Sequence, residues 1–135
     1  MALANTICPD SPRLSSKTAS DQARSLILQA LDLITEGTLE TADLHLQKAS
    51  KLAPNNPDLQ FALGLFHEEY GDAAQAQHHY EQAVQLDSCH AQAQINLGLL
   101  HGQNQAIGQA ESCFQNAIAA EPHLPEAHLN LGNIL

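Results

Sequence analysis

The side chains best able to do chemistry in these 135 residues are eight histidines, three cysteines and fifteen carboxylates. A zinc site needs a compact set of His, Cys or carboxylate ligands, and the histidines are not grouped that way. His67 and His101 occupy the same position in successive repeats of the chain. On neighbouring helices of a repeating structure they would stand about 10 Å apart, a helix-packing distance too long for one ion. His78 and His79 are adjacent and diverge on a helix, and His90 follows Cys89 in a turn. These are expected to be surface groups. No Gly-rich phosphate loop, nucleophile elbow or His-Glu-x-x-His string occurs. Cys8, Cys89 and Cys113 are odd in number and far apart. They are expected to be reduced thiols of a cytoplasmic protein, with Cys113 half-buried beside Phe114. The expectation is a chain without catalytic residues, metal or cofactor.

Charge narrows the partners. Fifteen acidic against five basic side chains leave a net charge of −10. A nucleic-acid backbone or an anionic membrane needs Lys and Arg to neutralise it, so neither is expected as a partner. No apolar run approaches the roughly 20 residues of a spanning helix. Residues 1–20 hold Pro9, Pro12 and scattered Ser, Thr and Asn without a continuous apolar stretch. They are expected to be a flexible arm, not a signal peptide.

What must position any functional side chain is a repeat. Gly98 recurs one period after Gly64, Leu97 after Leu63, Ala110 after Ala76, Phe114 after Tyr80 and Ala117 after Ala83. One period further back stand Ala30, Ala42, Leu46 and Ala49, and Pro54 takes the place of Pro122. Leu131-Gly132 restarts the pattern. A fixed period of about 34 residues signals stacked units that bury little alone and pack on their neighbours. The units are 23–56, 57–90 and 91–124, with a partial fourth at 125–135, so residues 21–135 form one array.

Each unit reads as two helices. Apolar periodicity and stop signals predict helices over Asp21–Glu36, about Leu39–Leu52, Pro57–Tyr70, Ala73–Leu86, Ala91–Gln103, Ala106–Ala120 and from Pro125 to Leu135. Ser20 or Asp21, Thr38 and Asp72 are candidate N-caps. Gly37 and Gly71 sit where a left-handed residue ends a helix. Gly64, Gly98 and Gly132 fall inside helices, where Gly costs about 1 kcal/mol against Ala, so close packing against a neighbour must offset that cost.

These positions resemble the tetratricopeptide repeat (TPR). That family shows Leu-Gly, then Ala-x-x-x-aromatic, then Pro, at the offsets seen in Leu97-Gly98, Ala110, Phe114 and Pro122. The missing Trp and the His at the usual Tyr position depart from it. The resemblance implies an all-α solenoid, a right-handed superhelix of antiparallel helix pairs whose first helices line a concave groove. Carried over position by position, the groove would hold Arg24, Ile27, Leu31, Phe61, Leu65, Glu68, Ile95, Asn96, Leu99, Leu129, Asn130 and Asn133. Most of these are apolar and suit a helix or extended peptide. Ile95-Asn96-Leu97-Gly98 and Leu129-Asn130-Leu131-Gly132 are similar to the TPR region of O-GlcNAc transferases, where stacked asparagines hold peptide backbone. Scaffold bonding of these asparagines is the equal alternative. Co-chaperone TPRs grip a C-terminal carboxylate with basic residues. Here Arg24 is the one basic residue at these positions, beside Asp58, Glu68, Glu69 and Glu126. A carboxylate clamp is therefore not expected, and an apolar or mildly basic peptide fits better.

The expected function is a non-catalytic module for protein–protein interaction that binds a peptide or protein segment. The alternatives are a substrate-recruiting arm of a longer enzyme, of glycosyltransferase or sulfotransferase type, and a secretion-type chaperone. The apolar residues of 125–135 also suggest a homo-oligomer formed through that helix.

Overall fold

The computed structural model describes residues 19–134. They form seven helices and, among the described residues, no strand: α1 (Ala19–Glu36), α2 (Leu39–Leu52), α3 (Pro57–Tyr70), α4 (Ala73–Leu86), α5 (Ala91–Gln103), α6 (Ile107–Ala120) and α7 (Pro125–Ile134). The expected flexible arm lies outside the described residues apart from Ala19 and Ser20, which are helical. Ser20 and Asp21 are therefore inside α1 and do not cap it, a correction. Thr38 stands at the N-cap of α2 but its side chain makes no capping bond. Asp72 does cap α4, its carboxylate accepting from Gln75 N–H at 3.1 Å.

Helix ends follow local chemistry. Gly37 and Gly71 adopt φ of 87° and 89°, a conformation that costs an L-residue roughly 1–2 kcal/mol and glycine almost nothing. The third unit has Gln105 at the same place, with φ 64°. Pro57 opens α3 in its first turn, where the missing N–H has no helical partner to lose.

The helices pack as pairs, α1 on α2, α3 on α4 and α5 on α6, and each second helix also meets the first helix of the next unit. Three apolar clusters sit at the junctions. One joins α1, α2 and α3 around Ile27, Leu46 and Leu59. The next joins α3 to α6 around Tyr80, Leu97, Leu100 and Cys113. The last joins α5, α6 and α7 around Ile95, Phe114 and Ala127. Ala42, Ala76 and Ala110 have no exposed surface, because the partner helix comes too close for a larger side chain.

The mid-helix glycines explain that approach. A Cβ on Gly64 would lie 2.4 Å from the Tyr80 ring, and one on Gly98 would lie 2.7 Å from the Phe114 ring. Each aromatic lies directly on the backbone of the facing helix. Fully burying such a ring stabilises by about 1.5–3 kcal/mol, more than the glycine costs. At Gly132 a Cβ would meet nothing within 4 Å.

Candidate interaction surface

α1 packs against α3, and α5 against α7, whereas α3 and α5 are bridged chiefly by α4. Tyr80 reaches through that bridge. Its hydroxyl donates to Glu68 Oε1 on α3 at 2.5 Å and accepts from Asn96 Nδ2 on α5 at 3.3 Å. Burial first, and then the Glu68 carboxylate, push the phenol far above its ordinary pKa. It therefore remains a donor throughout the physiological range, and Asn96 is held with its amide nitrogen inward.

Aromatic contacts continue this strip. The Phe61 ring lies 6.0 Å from that of Tyr80 and 5.0 Å from the imidazole of His90. His90 has two roles. Its Nδ1 accepts from Ala93 N–H and so caps α5. That leaves the proton on Nε2, which donates to Asp58 Oδ1 at 2.8 Å. This bond lowers the Asp58 pKa against the opposing cost of burial, with the Arg24 charge helping. A histidine N-cap was not legible in the sequence, because capping by an imidazole requires Asp58, at the start of α3, to orient the ring.

The predicted groove residues separate into two sets. Ile27 and Ile95 are 2% exposed and belong to the apolar clusters, which corrects their placement in an open groove. The neighbouring helices cover them. Leu31, Phe61 and Leu65 are half-buried, resting on those clusters with an outer edge free. Arg24, Asn96 and Asn130 are half-buried too, while Glu68 and Asn133 are exposed. Leu99 and Leu129 are 42% and 65% exposed. Leu99, Asn130 and Asn133 meet around an open crevice of ≈ 300 Å³ between α5, α6 and α7, floored by Gly98, Gly102 and Phe114.

His78 is exposed as expected, but His67, His79, His90 and His101 differ from the surface expectation. His101 is buried. His67 stacks on His79 at 5.1 Å, their planes 4° apart, and His79 Nδ1 donates to Gln60 Oε1 at 2.8 Å. Burial first, then the neighbouring His67 and His78, lower the His79 pKa from 6.5 to about 4. Among the described residues no group of three or more His, Cys, Asp or Glu could hold a metal ion. Cys113 is free and buried rather than half-buried, and burial, with Glu81 adding to it, pushes its thiol up to about 11. Cys89 is disulfide-bonded, which corrects the expectation of three reduced thiols; Cys8 lies outside the described residues. Among the described residues no helix is long and apolar enough to cross a membrane.

Comparison with known proteins agrees with this architecture. Residues 57–88 match the family model of the tetratricopeptide repeat. No curated protein sequence matches the chain. Among solved structures, the first TPR of Spaghetti (RPAP3), bound to the HSP90 peptide SRMEEVD, is 21% identical at a TM-score of 0.75, covering 87% of this chain and 93% of that one. The second TPR domain of human RPAP3, in complex with the HSP70 peptide SGPTIEEVD, is 20% identical at 0.71, covering 86% and 97%. Pseudomonas aeruginosa PilF is 22% identical at 0.78, covering 86% of this chain and 53% of PilF, so this chain spans about half of PilF's length. The chain has the all-α fold of a TPR solenoid.

Proposed function

We propose that this chain is a non-catalytic interaction module that binds a peptide or protein segment along the face formed by α1, α3, α5 and α7. The observation that carries the reading is the strip from Phe61 and Leu65 to Leu99 and Leu129, apolar and partly or largely open to solvent, crossed by the Glu68–Tyr80–Asn96 bonds. Open apolar area provides affinity, and fixed polar groups set the register of an incoming backbone. The RPAP3 structures, which hold the peptides SRMEEVD and SGPTIEEVD, support the reading that a scaffold of this shape holds a peptide.

The test is selection of a displayed library of random peptides on the pure protein. The expected result is enriched peptides whose affinity drops at least tenfold with Phe61→Glu or Leu99→Glu, while thermal unfolding shows both variants folded. Failure to enrich any peptide sensitive to these changes would overturn the reading.

The recruiting-arm alternative uses the same face. It rests on the Asn96 and Asn130 strings and their likeness to O-GlcNAc transferases. The chaperone alternative would use Phe61, Leu65 and Leu99 for an unfolded segment. Self-association through α7 is part of the same proposal, supported by the exposure of Leu129 and the open surface at Gly132. A single monomeric mass by light scattering at high concentration would remove it. The charge of −10 supports a partner other than nucleic acid or membrane. Placement in the cytoplasm belongs to the proposal as well, and the bonded state of Cys89 weighs against it.

A further inference from the structure

The middle of this face is short of hydrogen-bond donors. Asp58 is 61% exposed and uses Oδ1 for His90, and no protein group among the described residues donates to its second oxygen. Glu68 is exposed and uses Oε1 for Tyr80, and its second oxygen is likewise unmatched. Asn96 spends Nδ2 on Tyr80, which leaves Oδ1 without a protein donor among the described residues. Three acceptors thus lie along one strip of touching groups: Asp58, His90, Phe61, Tyr80, then Glu68 and Asn96. A ligand that displaces water from these oxygens without supplying donors would bind poorly.

Charge points the same way. Glu69 follows Glu68, and Arg24 lies within electrostatic reach of Asp58 and is already opposed by it. An acidic C-terminus such as the Glu-Glu-Val-Asp of the RPAP3-bound peptides would meet carboxylates instead of cations.

We propose, resting on the groove reading above, that the segment bound between α3 and α5 is cationic: an extended chain with two Lys or Arg residues four positions apart, one at Asp58 and one at Glu68. The spacing follows from geometry. Asp58 and Glu68 both lie on α3, separated by about 15 Å along its axis at the usual helical rise. An extended chain advances about 3.3 Å per residue, so positions i and i+4 lie about 13 Å apart and point to the same side. Flexible side chains cover the difference. Phe61 lies between the two carboxylates and offers its ring to the aliphatic stems or to a cation. Asn96 Oδ1 accepts a backbone N–H of the bound chain.

The test uses the strongest peptide from the library selection in three synthetic forms: as selected, with its basic residues replaced by norleucine, and with them replaced by glutamate. Binding is read by fluorescence anisotropy. The basic form should bind about tenfold more tightly than the norleucine form in dilute buffer, as two exposed ion pairs allow. The advantage should vanish in about 0.5 M salt. Glu68→Gln and Asp58→Asn should each erase part of the difference between the basic and norleucine forms; Asp58→Asn keeps an acceptor for His90 and Glu68→Gln keeps one for Tyr80. Enriched peptides without paired basic residues, or equal binding of all three forms, would overturn the cationic ligand and leave the groove reading intact. Absence of any enriched peptide would overturn the groove reading itself.

Discussion

Units two and three place an aromatic ring against a mid-helix glycine in the same way, yet the two slots differ in consequence. Tyr80 fills the slot at Gly64 and its hydroxyl joins Glu68 to Asn96. Phe114 fills the slot at Gly98 but has no hydroxyl, and the position matching Glu68 is Gly102. Without those groups Asn130 has no equivalent anchor, and a crevice remains between α5, α6 and α7. One oxygen atom and one side chain thus separate a junction bridged by hydrogen bonds from one that lacks this bridge. The repeat sets where side chains stand, and single substitutions within it set what a surface can recognise.

The largest expected effect tests the shared part of the comparison. Gly64→Ala forces a Cβ to within 2.4 Å of a ring tied down by its hydroxyl. Gly98→Ala meets a ring at 2.7 Å that is free of such a tie. Both should lose roughly 1–3 kcal/mol of stability in urea unfolding, with Gly64→Ala the worse, because overpacking outweighs the gain in helix propensity. Gly132→Ala has no contact within 4 Å and should gain about 0.5–1 kcal/mol. Equal effects at all three would show that the rings do not hold the helices together.

A smaller effect tests the difference between the units. Tyr80→Phe converts unit two to the chemistry of unit three. It should cost about 1 kcal/mol, the usual net value of a buried hydrogen bond. The Asn96 side-chain amide should then exchange faster by NMR. An unchanged amide signal would show that Tyr80 does not orient Asn96.

The smallest effect depends on pH. The folded pKa of His79 is lowered from 6.5 to about 4, so folding favours its neutral form. The stability this lends is present above pH 6.5 and is lost as pH falls towards 4. Unfolding midpoints should fall over that range, and His79→Gln should flatten part of the decline. Parallel declines in the two proteins would remove His79 as the cause.

Much of the fold was legible in the sequence. α2, α3, α4 and α5 have the bounds expected from Gly, Pro and apolar spacing, and α1 and α6 differ only where they begin. The site was less legible. Periodicity names positions on a helix but not how closely the next helix covers them, so Ile27 and Ile95 read as groove residues although their neighbours bury them. The stacking of His67 on His79, and the double role of His90, join residues on different helices. No local pattern contains such pairs.

The repeat period by itself determined the all-α solenoid, because each unit has an apolar face that only a neighbouring unit can cover. It determined where close helix contacts occur, because Gly and Ala recur where a larger side chain has no room. Only the tertiary structure decided which apolar positions remain open, that Tyr80 links Glu68 to Asn96, and that the second oxygens of Asp58 and Glu68 and the Oδ1 of Asn96 line one strip with no donor among the described residues. Those properties depend on distances between units, and the spacing of residues along the chain does not contain them.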